Sequence, residues 1–221
     1  MIVTFLMLKY IDSSSGTVTK LNYLIIYRKA LSSRKLLGLL GVIFLSGFFV
    51  FGSFTYSGEM IHQATDLNIF QIGCILSLFG LGAITGATQL DKLRKQLGMG
   101  LCLVAGVGGS ISLFLLSITM SVSLIVLAIF CFGFSFILLH STNVTTAQNL
   151  IPGLRGTIMA LISFSVFVGS GIGTVVNKYL MEISNVALIF YVAAIGFIGI
   201  GAVAFLVLKS IQKQQISNME I

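Results

Sequence analysis

Few side chains in this sequence can do chemistry, and their spacing narrows what that chemistry is. His140 stands inside an apolar run, one helical turn before Asn143-Val144-Thr145-Thr146. An imidazole in such a run can pass a proton or hold a polar group of a ligand; near a surface it is equally satisfied by water or a neighbouring helix. Asp91 opens the segment Asp91-Lys92-Leu93-Arg94-Lys95, and Arg155-Gly156 follows Pro152. Charges in such short segments can latch two elements together, or can be ordinary solvated loop groups. The sets that mark enzymes are missing. There is no phosphate-cradling loop, no His-Glu-x-x-His, no paired carboxylates in an apolar run and no Ser–His–Asp arrangement. Cys74, Cys102 and Cys131 lie in apolar runs without paired spacing, as small buried hydrophobes do. No enzyme activity, no cofactor and no metal site is expected.

The elements that must position these groups belong in lipid. Of 221 residues, 57 % are hydrophobic and 9 % charged, and the mean hydropathy is +1.07. A soluble domain carries about 25 % charged residues, so this chain cannot coat a water-facing surface. Six runs are long enough to span: 36–56, 70–90, 99–118, 122–142, 157–176 and 186–208, and none holds Asp, Glu, Lys or Arg. A span needs roughly 20 apolar residues, and the runs do not alternate as barrel strands do. The expected fold is therefore an all-α integral membrane bundle of six transmembrane helices in the lipid bilayer.

Charge fixes the expected orientation. Twelve of the thirteen basic residues fall in segments 1–35, 91–98, 147–156 and the tail from Lys209, and only Lys178 falls on the other side. The positive-inside bias places both termini in the cytoplasm of a multi-pass protein of the cell membrane. The net charge of +7 is then a topology signal with some attraction to anionic headgroups, and no nucleic-acid partner is needed. Residues 1–35 are expected to form a cytoplasmic linker and an interfacial helix, 36–208 the bundle, and 209–221 a cytoplasmic tail. Six crossings split into three plus three, and an odd number per repeat inverts the second repeat against the first. Gly82-x-x-x-Gly86 and Gly169-x-x-x-Gly173 carry the spacing of close helix contacts, with Gly171 between the latter two.

Several segments together resemble the C-terminal half of a major facilitator transporter, in its drug- and sugar-efflux branch. The glycine-rich second span followed by Ala87…Asp91-Lys92…Lys95 is similar to that family's second helix and short basic loop, although Leu93 and Arg94 depart from the pattern and its glycine is missing. Pro152-Gly153-Leu154-Arg155-Gly156 with Gly169, Gly171 and Gly173 resembles the Pro-x-x-Arg-Gly loop and fifth helix. Tyr27-Arg28-Lys29 through Arg34-Lys35 resembles the linker between halves, and Tyr56 closes the first span as family members often do.

The resemblance implies secondary transport of a small molecule by alternating access, as an efflux permease or antiporter. It implies that Asp91 sits near the start of the fifth helix at Gly156-Thr157, so that Asp91, Lys92, Arg94, Lys95, Arg155 and Gly156 form a cytoplasmic gate. It also implies that the first and fifth spans line the substrate path, which nominates Phe48, Phe51, Tyr56, Phe164 and Phe167 beside His140 and Asn143. A complete family member has two six-helix halves. A second half, covalent, on a separate chain or by self-pairing, is the expected partner. The competing reading is a membrane scaffold that does not transport, or an inactive truncated remnant.

Overall fold

The computed structural model describes residues 23–217; within them the regular structure is helical and contains no strand. Residues 1–22 of the expected linker and 218–221 of the expected tail lie outside the described residues. Helix α1 (Tyr23–Leu31) ends at Ser32-Ser33. The Ser33 hydroxyl accepts the Leu36 N–H at 3.4 Å and caps α2 (Arg34–Ser46). The chain then widens into a π turn, Gly47–Phe51, and closes with the single turn α3 (Gly52–Phe54). A short helix α4 (Ser57–Ala64) leads to α5 (Ile69–Leu97). The start of α5 is fixed reciprocally: Asn68 Oδ1 accepts the Gln71 N–H at 2.9 Å, and Gln71 Oε1 accepts the Asn68 N–H at 3.0 Å. Helices α6 (Leu101–Ile118), α7 (Val122–Leu150), α8 (Arg155–Ile183) and α9 (Val186–Ser217) complete the described chain.

Among the described residues five stretches, where six runs were expected, are long and apolar enough to cross a membrane: Arg34–Ala64, Ile69–Ile118, Val122–Leu150, Pro152–Ile183 and Val186–Lys213. The second has 50 residues because α5 and α6 are joined by a helical turn, Gly98–Gly100, with no coil between them. As one straight rod it would measure roughly 75 Å at ~1.5 Å per residue, far beyond a ~30 Å hydrocarbon core. It is not one rod. Gly98 has φ +54, a conformation that suits glycine, and the two sides of this joint pack in opposite senses. Contacts along α5 and α7 rise together, Gly82 against Phe130 and Gly86 against Phe134. Helix α6 reaches α7 through the short connection at 119–121 and runs against it.

The helices also outlast the apolar runs. Residues 91–97, expected in a loop, are the last two turns of α5. Asp, Lys, Arg, Gln and Leu are acceptable or good helix formers, so loss of hydropathy marks the end of the lipid-compatible stretch and not the end of the helix. Likewise α7 continues to Leu150 and α9 through Lys209 and Lys213.

Backbone contact holds the bundle at three seams. In the first, Gly169 and Gly173 of α8 press on the carbonyls of Phe44 and Phe48, while Gly47 meets Val166. In the second, Gly82 meets Phe130 and Gly133 of α7 meets Phe79. The third runs antiparallel between α6 and α9: Gly106 faces Gly201, and the Ser110 hydroxyl donates to the Ala194 carbonyl at 2.6 Å. Between the seams, Phe54, Phe79, Phe132 and Phe136 fill the core, with ring centroids 4.7 Å apart for Phe54–Phe79 and 5.6 Å for Phe79–Phe132.

Candidate functional site

A cavity of about 410 Å³ opens where the π turn, the second half of α7 and the first half of α8 meet. Each wall follows from its helix. The π turn carries one residue too many for a regular ladder, and Phe51 at its end lines the cavity; such widenings often sit at functional sites. On α7, Phe136, His140, Ser141, Val144 and Thr145 fall on one face. On α8, Met159, Ser163, Phe167 and Ser170 form a stripe at helical spacing, backed by Ile162 and Val166. No lining residue is Asp, Glu, Lys or Arg.

His140 is the one ionisable side chain of the lining. Its ring stacks on Phe136 with centroids 5.2 Å apart and planes 19° apart. Its Nδ1 is buried without a protein hydrogen-bond partner among the described residues. The serine and threonine hydroxyls add polar groups to a largely aromatic and aliphatic wall, so the cavity can hold an apolar body and orient it through a few polar atoms.

Of the path residues nominated from sequence, Phe51, His140 and Phe167 line this cavity and the other four do not. Tyr56 is half-buried at the opposite end of the seam, where its hydroxyl donates to the Thr174 carbonyl at 3.0 Å. Phe48 packs edge-on against Phe49 at 4.9 Å. Phe164 projects outward and is 66 % exposed. Asn143 is buried; its amide donates to the Leu139 carbonyl at 2.9 Å and its Oδ1 has no protein partner among the described residues. Choosing aromatics overlooked Phe136 on α7 and the α8 serines. The signal for the latter was present as Met159, Ser163, Phe167 and Ser170 recurring on one face.

The charged residues nominated as a gate stand at the end of α5 and the start of α8. Asp91, Lys92 and Lys95 are exposed on α5, Arg94 is half-buried, and Arg155 and Gly156 are exposed at the start of α8. Arg155 Nη2 donates to Asn149 Oδ1 at 3.4 Å, and no ion pair joins Asp91 to a basic side chain among the described residues. Of the nominated packing glycines, Gly82, Gly86, Gly169 and Gly173 lie at helix contacts. Gly171 is exposed, with nothing within 4 Å of where a Cβ would stand, because two residues along a helix turns it away from the seam.

Two comparisons bear on this architecture. The sequence model of the Major Facilitator Superfamily matches residues 2–174, well over half of the chain. The uncharacterized MFS-type transporter YceJ of Bacillus subtilis (strain 168) is 26 % identical over 158 residues, which is 71 % of this chain and 40 % of that relative. The chain thus spans about two fifths of that relative's length. With several helices long and apolar enough to cross a membrane and a seam-built bundle around an uncharged cavity, the chain belongs to the Major Facilitator Superfamily of membrane transporters.

Proposed function

We propose that this chain is a six-crossing half of a secondary transporter that exports a small, uncharged or amphiphilic molecule, a drug or a sugar, by alternating access. The observation that carries the reading is the open cavity between the π turn, α7 and α8, whose wall mixes aromatic rings, hydroxyls and one imidazole with no fixed charge. Helix α8 supports it. Its most apolar window is 22 % buried, α5 is similarly open with Ile72, Ile75, Gly82 and Gly86 its buried residues, and on α8 Ser163 and Phe167 face outward beside the cavity. A helix bearing hydroxyls on its open face suits contact with a second half better than contact with lipid tails.

The six-crossing layout rests on the opposed packing of α5 and α6. Pairing α2, α5 and α6 with α7, α8 and α9 as inverted repeats maps the α2–α8 seam onto the α7–α5 seam, and Gly169 and Gly173 onto Gly82 and Gly86. The α6–α9 seam maps onto itself. In this reading the basic end faces the cytoplasm of the cell membrane, α1 lies at the interface, and Asp91, Lys92, Lys95 and Arg155 engage when that end closes.

Substrate flux in reconstituted vesicles tests the proposal. Flux that appears when a second half is supplied, and falls when Asp91→Asn is introduced at unchanged membrane abundance, is the expected result. Absence of flux in every pairing, with stable binding of a partner, would replace the transporter by a scaffold.

A further inference from the structure

A second cavity, of about 560 Å³, lies at the basic end of the bundle between the end of α5, the start of α6, the last turns of α7 and the end of α9. It is separate from the uncharged cavity, and α7 forms a wall of both: His140, Ser141, Val144 and Thr145 face one, Thr142 and Thr146 the other. We propose that this second cavity binds a phosphate ester bearing hydroxyl groups.

The donors stand around it in a form that suits an anion. Arg94 lines the cavity and is half-buried, yet its side chain has no ion pair and no hydrogen bond among the described residues. The planar fork of a guanidinium matches phosphate oxygens. No lining residue is a carboxylate. The nearest acid in sequence, Asp91, is one turn earlier on α5 and exposed. The Gln212 amide lines the opposite wall, and Gly98 and Met99, in the turn that joins α5 to α6, border the same space.

The remaining polar atoms select what the phosphate carries. Thr142 Oγ1 donates to the Leu138 carbonyl at 2.7 Å and Thr146 Oγ1 to the Thr142 carbonyl at 2.8 Å. Their hydrogens are spent on the helix, so their oxygens present lone pairs to the cavity and can accept hydroxyl donors. A glycerol-type phosphate offers both halves of this match. It can come from a phospholipid headgroup or from a soluble phosphate ester, and the volume lies within the ~300–1,000 Å³ range of small-molecule pockets.

The test uses the full chain purified in a neutral detergent and reads saturable shifts of the unfolding midpoint. The probes are phosphatidylglycerol, phosphatidylcholine and soluble glycerol phosphate. The expected result is saturable stabilisation by phosphatidylglycerol or by glycerol phosphate, with the affinity falling about tenfold or more in Arg94→Gln, the loss of a charged hydrogen-bonding group. Stabilisation by phosphatidylglycerol alone identifies a lipid site, and stabilisation by glycerol phosphate a soluble ligand. Lys95→Gln removes the same charge from the adjacent exposed position and should retain the affinity. Arg94→Lys, which keeps the charge and loses the fork, should fall between the two and serves if Arg94→Gln does not fold. Equal loss in Lys95→Gln, an unchanged response in the Arg94 variants, an equal response to phosphatidylcholine, or no saturable response to any probe would overturn the proposal. None of these readouts depends on transport.

Discussion

Along the α5–α7 seam, Gly82 and Gly86 bring two parallel helices to backbone contact; along the α2–α8 seam, Gly169 and Gly173 do the same. The surroundings differ. The first seam is closed over by Phe54, Phe79, Phe132 and Phe136, which pack ring on ring. The second borders the 410 Å³ cavity, has a π turn in one of its helices, and leaves Phe167 75 % exposed. One packing device therefore serves a flank filled with aromatic rings and one that borders a cavity. Glycine spacing reports where helices touch, and the side chains flanking the contact report whether a ligand can enter.

The largest effects should come from wedging either seam apart. A valine at Gly82 or Gly169 would drive a methyl-bearing Cβ into the carbonyl of Phe130 or Phe44, and a backbone group cannot rotate away as a side chain can. Each substitution is expected to cost about 1–3 kcal/mol or more, as overpacking does, measured by unfolding in detergent. Gly171→Val, with open space around it, should stay within about 0.5 kcal/mol, as surface changes do. If Gly171→Val cost as much as Gly169→Val, the α8 seam would have to lie on another face.

These seams were legible in the sequence, and the cavity was only partly so. Gly82, Gly86, Gly169 and Gly173 were readable because a fixed spacing of four places both members of a pair on one helix face. The apolar runs were readable because lipid requires them to be long and free of charge. Hydropathy could not give the helix ends: α5 runs on through Asp91 and Arg94 to Leu97 because solvated residues propagate a helix as well as apolar ones do. Nor could composition tell Phe51 and Phe167, which line the cavity, from Phe48 and Phe164, which do not. All four are large and apolar, and only the rotation of α2 and α8 about their axes, set by the glycine contacts and the π turn, decides which way each faces.

Filling the cavity should separate function from stability. Ser163→Phe places a ring at the mouth of a wall that is already exposed, so unfolding in detergent should change by less than about 0.5 kcal/mol while flux in the assembled transporter falls several-fold. The matching change away from the cavity, Ser77→Phe on the exposed face of α5, should leave both unchanged. Equal loss of flux from both would place the path elsewhere and remove the functional distinction between the seams.

Smaller effects than those of the glycine wedges should come from the side-chain hydrogen bonds that tie one helix to another. Tyr56 donates to the Thr174 carbonyl at the far end of the α2–α8 seam, and Ser110 to the Ala194 carbonyl between α6 and α9. Both acceptors lie inside helices, where the carbonyl already receives a backbone N–H, so losing the extra donor orphans nothing. Tyr56→Phe and Ser110→Ala should therefore each cost about 0.6 kcal/mol and no more than about 1.7, the span measured for such bonds in membrane proteins. Ser110→Ala also leaves little void, since only one oxygen is removed beside Gly106 and Gly109. Unfolding of the two variants beside Gly82→Val and Gly169→Val ranks the forces directly. Should either hydrogen-bond variant prove the more damaging, close backbone contact would lose its place as the main hold between helices, and the likeness of the two glycine seams would no longer explain how the bundle stays together.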